Sequence, residues 1–119
     1  MRSGAVVSNG TDVPVERIDP MPNFYATVTR KTKSGTVFYG DQKMTREEAL
    51  KSYTYNAAYA AKEEKDKGTL AVGKLADVTV LTKNLLTVPE SEIPATDVAY
   101  TIVGGKILYR GTKGPGGTR

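Results

Sequence analysis

Asp12 is the residue of this chain whose setting invites chemistry. It stands in Gly10-Thr11-Asp12-Val13-Pro14-Val15, directly after the short apolar run Ala5-Val6-Val7. A β-branched run closed by Asn9-Gly10 reads as a buried strand over residues 4–8 that gives way to a loop. Asp12 then sits just beyond the carboxyl end of that strand, where a carboxylate can take a proton. Asn, Gly and Asp are also ordinary turn formers, so on these six residues alone a capped turn is the simpler reading. The chain has no histidine and no cysteine. Histidine is the usual base near neutral pH and the commonest metal ligand. A self-contained active site would therefore rest on Asp, Glu, Lys, Tyr or Ser alone, and thiol nucleophiles, thiolate metal sites and disulfides are excluded.

The 119 residues suffice for one domain and not for two substantial ones. With 39% apolar and 25% charged residues the composition is that of a globular chain that buries a core. The opening ten residues carry an apolar run of only three, far short of a signal-peptide core or of the roughly 20 residues that cross a bilayer. A cytoplasmic location with no membrane partner is expected. The net charge of +4 raises the question of nucleic acid. Its basic residues are scattered, however: Arg30, Lys31 and Lys33 lie together, whereas Lys62, Lys65 and Lys67 alternate with Glu63, Glu64 and Asp66, as on a solvated face. No nucleic-acid partner is expected.

The elements that must position Asp12 follow from the periodicity downstream. Asp19-Pro20 can open a helix, with Asp19 as N-cap and Pro20 at the first helical position. Phe24, Tyr25, Val28 and Thr32 continue it at helical spacing until Ser34-Gly35. Thr45-Arg46-Glu47-Glu48 is a capping box that starts a second helix. Ala49, Leu50, Tyr53, Ala57 and Ala60 mark one face of it, and the weak helix formers Tyr53-Thr54-Tyr55-Asn56 predict a break into two pieces. The tyrosines at 53, 55 and 59 read as core or interface residues rather than ligands. Residues 62–67 form a polar connector. The period then turns strand-like, with strands over 76–81 and 98–103 and a two-residue Gly104-Gly105 turn leading into 106–110. Residues 111–119, with four glycines and a proline, predict a disordered tail.

Taken in order, GTDVPV, TREEALKSYTYNAAYAA, GTLAVGKLADVTVL and TIVGGKILYR resemble the C-terminal end of a metal-dependent amidohydrolase, most closely the branch called amidohydrolase type 3. The resemblance implies a fold of class α/β plus β: the last strand-helix unit of a (β/α)8 barrel in residues 1–61, a connector at 62–67, and the returning strands of a small β-sandwich domain at 68–110. A barrel alone takes about 250 residues, so only its end is represented. The stretch from Gly68 to Leu81 is the more diagnostic motif and carries no chemistry: Gly68 and Gly73 allow tight turns, Lys74 is expected at a solvent edge, and Asp77 leads into a buried strand.

In that family the carboxylate closing the eighth strand binds or faces a divalent metal, usually zinc, and serves as general base toward the water that attacks a carbonyl. Asp12 is the residue that matches, as catalytic base and metal ligand together. With the downstream motifs in register, the resemblance favours this role over the capped turn. The family's His-x-His pair, its carboxylated lysine or acidic ligand and its later histidines have no counterpart here. The expectation is a fragment of an enzyme that hydrolyses non-peptide carbon–nitrogen bonds of a small amide, inactive by itself and completed by the remainder of the barrel. The alternative is a non-catalytic module that covers its exposed strand edges by self-association.

Overall fold

The computed structural model describes residues 4–112. Its first helix, α1 (Met21–Thr29), starts one residue later than the sequence predicts, with Pro20 rather than Asp19 at the N-cap. The Asp19 carboxylate accepts the Met21 N–H at 3.0 Å, and Pro20, whose missing N–H costs nothing there, takes the cap position. The helix is shorter than expected. Arg30 adopts φ +56 and closes it by donating its N–H to Ala26, so Thr32 lies outside, in a reversal pinned by the Lys31–Val37 bridge. Gly35, at φ +84, takes the left-handed position of that reversal.

The capping box forms as the sequence requires. Thr45 Oγ1 accepts the Glu48 N–H at 3.1 Å, and the Glu48 carboxylate accepts the Thr45 N–H at 2.8 Å. It starts α2 (Arg46–Tyr53), which breaks at Thr54 (φ −121, ψ −91) before α3 (Tyr55–Ala60). Thr54 donates its hydroxyl to the Leu50 carbonyl at 2.9 Å and its N–H to Lys51, partly satisfying the carbonyls stranded at the helix end. The buried face differs from the predicted one. Ala49, Ser52, Asn56 and Ala58 are buried, while Leu50 and Ala60 are exposed. Ala49, Ser52 and Asn56, at three- and four-residue intervals, carry one buried face through the break, and it includes polar positions that the apolar pattern passed over.

Three strands form one antiparallel sheet in the order β1 (Val78–Leu81), β2 (Val98–Val103), β3 (Lys106–Arg110). Val78 pairs with Ile102 and Thr101 with Tyr109. Gly104 and Gly105, at φ +55 and +77, make the two-residue turn. That turn is strapped to the chain before β1: Asp77 accepts the Gly104 N–H at 2.8 Å and the Ala76 carbonyl accepts the Gly105 N–H at 3.0 Å. Strand β1 is half-buried rather than buried, and β3 is exposed along its whole length. Lys74 is not at a solvent edge; its ammonium donates to the Glu64 and Lys67 carbonyls and closes the connector turn.

The core lies between the helices rather than under the sheet. Met21, Phe24 and Val28 of α1 pack with Ala49 of α2, Leu85, and Ile93 from a short 3-10 turn (Glu90–Ala95); Leu81 is the sheet's contribution. Ile93, fully buried, belongs to a stretch without periodic signal. Two expectations fail at the ends of the chain. Residues 4–8 form no strand, because no described strand lies beside them to complete a ladder; they run as extended chain with Val6 exposed. At the other end Gly111 is docked, donating its N–H to the Ala99 carbonyl at 2.8 Å. The rest of the predicted tail, residues 113–119, lies outside the described residues. The whole is a small mixed α/β arrangement with a three-stranded antiparallel sheet.

Candidate functional site

Asp12 heads a turn. Its backbone takes φ +51, a left-handed conformation that Asp tolerates better than most side chains, and its carbonyl accepts the Val15 N–H at 2.8 Å. The side chain is exposed, and the following Val13–Pro14 bond is cis. The turn is therefore real, and it holds a carboxylate out to solvent rather than folding it into the protein.

What holds the approach to Asp12 is not a sheet but three helices. Asn56 of α3 donates its side-chain amide to the Val7 carbonyl at 2.9 Å. The Ser52 carbonyl of α2 accepts the Asn9 N–H at 3.1 Å, and Ser52 Oγ accepts the Asn9 side-chain amide at 2.9 Å. Asn23 of α1 donates to the Gly10 carbonyl at 3.2 Å. Ser52 is completely buried and Asn56 nearly so. Sequence reasoning gave these polar residues no part in the site. The signal was present: Ser52 and Asn56 stand four residues apart and share a face with Ala49, and buried polar residues on such a face need partners.

The tyrosines separate by environment. Tyr53 packs against Phe24 with ring centroids 6.1 Å apart, and its hydroxyl is buried without a hydrogen-bond partner, so desolvation raises its pKa. Tyr55 stacks on Tyr59 at 6.4 Å. None of these contacts involves Asp12. The larger cleft, about 860 Å³, runs between the α2–α3 pair and β1 and is lined by apolar groups including Leu50, Ala57, Leu70 and Val78; Asp12 is not among its walls. Of the basic residues, Arg30 is spent internally, donating to the Phe38 carbonyl at 3.0 Å with its guanidinium over the Phe38 ring, and Lys67 pairs with Glu63 at 2.6 Å.

A catalytic zinc takes about three protein ligands and keeps a position open. Among the described residues no three of His, Cys, Asp and Glu come together to hold an ion. The exposed Asp12 carboxylate at the turn does not make a metal centre on its own. No helix among the described residues is long and apolar enough to cross a membrane.

A family profile described as the amidohydrolase family, in its type 3 group, matches residues 1–109. Among similar proteins, the N-substituted formamide deformylase of Arthrobacter pascens is 30% identical over 92% of this chain. The protein LONG AFTER FAR-RED 3 of Arabidopsis thaliana is 32% identical over 92%, and YtcJ of Bacillus subtilis (strain 168) is 28% identical over 89%. The matched region is 20%, 19% and 21% of those proteins respectively, so the chain spans about a fifth of the length of the curated relatives it matches. With a profile match over nearly its whole length, this chain belongs to the amidohydrolase family.

Proposed function

We propose that this chain supplies the closing segment of a metal-dependent amidohydrolase that cleaves a non-peptide carbon–nitrogen bond, and that Asp12 is its contribution to the active site. In this reading residues 1–61 close a (β/α)8 barrel and residues 68–110 return to a small β-sandwich. Divalent metal, zinc by preference, is held by donors from the remainder of the enzyme, and the isolated 119-residue chain is inactive. The observation that carries the reading is the combination at Asp12: family membership over residues 1–109, and an exposed carboxylate on a loop tied down by α1, α2 and α3, with no group of three metal donors among the described residues. The chemistry assigned to Asp12 itself is proton acceptance from the attacking water, a contribution of about 10²–10⁴-fold in rate. The sheet faces and the β3 edge are covered by the rest of the enzyme. The name of the Arthrobacter relative suggests an N-substituted formamide as the first substrate to try.

A graft tests this. The matching fifth of the Arthrobacter formamide deformylase is replaced by this chain, and turnover is measured with and without Asp12→Asn. The expected result is an active graft that loses about 10²–10⁴-fold in kcat on substitution. An active graft indifferent to Asp12→Asn removes Asp12 from the reaction.

A further inference from the structure

We infer that the broken helix α2–α3 is a docking station whose buried polar groups, Ser52 and Asn56, grip Val7 and Asn9 and thereby position Asp12. The inference rests on the proposed role of Asp12 for its functional meaning, but not for its geometry. In an unbroken helix the Ser52 carbonyl would accept the N–H of Asn56, four residues on. The non-helical Thr54 interrupts that register and leaves the Ser52 carbonyl available, and the Asn9 N–H occupies it. The same break starts a new helix at Tyr55, and the amide of Asn56 reaches the Val7 carbonyl.

The two contacts are spaced as a strand would space them. Val7 C=O and Asn9 N–H belong to residues two apart, which in an extended chain point to the same side, and both meet the helix pair. Ser52 completes the clamp without leaving its own group unpaired. Its hydroxyl donates to the Ala49 carbonyl at 2.6 Å and accepts from the Asn9 side chain at 2.9 Å. Buried polar groups with every partner in place fix one geometry. Asp12 lies three positions beyond the gripped Asn9, and the exposed Asn23–Gly10 contact lies between. Asn9, Ser52 and Asn56 are positioning residues: none presents a group to a reacting atom, and each acts through the backbone that carries Asp12.

The test uses the 119-residue chain and does not depend on activity. Backbone ¹⁵N order parameters and amide exchange are measured for residues 9–15 and for β2–β3, well below the melting temperature, in the wild type and in Asn9→Ala, Asn56→Ala and Asn9→Asp. In both alanine variants the Asn9 amide is expected to exchange at least about tenfold faster and order parameters over 11–15 to fall from about 0.85 to below about 0.6, while the sheet amides stay within about twofold. A merely stabilising role would lower the melting temperature without loosening this loop selectively. Asn9→Asp is expected to loosen the loop as well, because its carboxylate cannot donate to Ser52 Oγ, whose one proton is already given to the Ala49 carbonyl. Asn9 lies outside the helices, so its variants remain informative if Asn56→Ala fails to fold. Unchanged order over 9–15 in Asn9→Ala, or equal loosening of loop and sheet, overturns the clamp. A graft indifferent to Asp12→Asn removes the catalytic meaning while leaving this result standing.

Discussion

Asp12 occupies a left-handed turn position with its carboxylate in solvent, and Asn9, three residues earlier, is held to α2 by two hydrogen bonds. In the role proposed for Asp12, a carboxylate in solvent on a fixed backbone would have its geometry settled in advance. The turn at Asp12 was legible in the turn formers of GTDVPV and its neighbours. The clamp was not, because hydrogen bonds such as Asn56 to Val7 join residues forty-nine apart and nothing in local periodicity announces them. The carboxylate of Glu48, in the first turn of α2, is tuned by its setting. The Thr45 N–H that it accepts is the largest cause of its pKa falling below the ordinary 4.5. A depressed carboxylate pKa stabilises the folded form above the unfolded value, and that contribution is lost as pH falls from about 4.5 through the lower folded value. Glu48→Gln keeps an acceptor oxygen without the titration. An NMR pH titration is therefore expected to show the Thr45 amide shifting as α2 frays below pH 4.5 in the wild type and not in the glutamine variant.

At the scale of elements, the connector between helices and sheet depends on one close approach. A Cβ on Gly68 would stand 2.8 Å from Ala58 Cβ and 3.0 Å from Tyr55 Cα, with φ +91 in addition. Gly73 shares the positive φ, at +88, but faces open space. Both glycine-to-alanine changes pay the left-handed penalty of roughly 1–2 kcal/mol, and Gly68→Ala alone adds the overlap with α3. Urea unfolding is expected to rank Gly68→Ala well below Gly73→Ala; equal losses would show that the connector does not press on α3. The turn chemistry and caps around these elements are local, which is why the capping box, the Thr54 break and the Gly104-Gly105 hairpin can be read from a few adjacent residues. Elements decided by distant partners were not readable in that way. Residues 4–8 have strand-like composition and no ladder, Ile93 is fully buried in a stretch without period, and the buried face of α2 and α3 runs through the polar Ser52 and Asn56.

The whole molecule leaves much apolar surface uncovered. Eight apolar residues are buried, while seventeen large ones, among them Leu70, Val72, Ile107 and Leu108, are exposed among the described residues. Edge strands left open in this way are usually covered by a partner. Antiparallel pairing of β3 in register with a second copy would oppose Lys106 to Arg110 at both ends, like charges that disfavour self-pairing and favour a different chain segment as the cover. Exposed apolar faces, no group of three metal donors among the described residues, and a match to about a fifth of much longer relatives are what the proposed function is argued from: a contribution to a site completed from elsewhere. The most direct measurement is a zinc titration of the 119-residue chain by calorimetry, paired with a hydrolysis assay on N-substituted formamides. The account predicts neither stoichiometric tight zinc nor turnover; one tightly bound zinc per chain together with turnover that Asp12→Asn abolishes would contradict it.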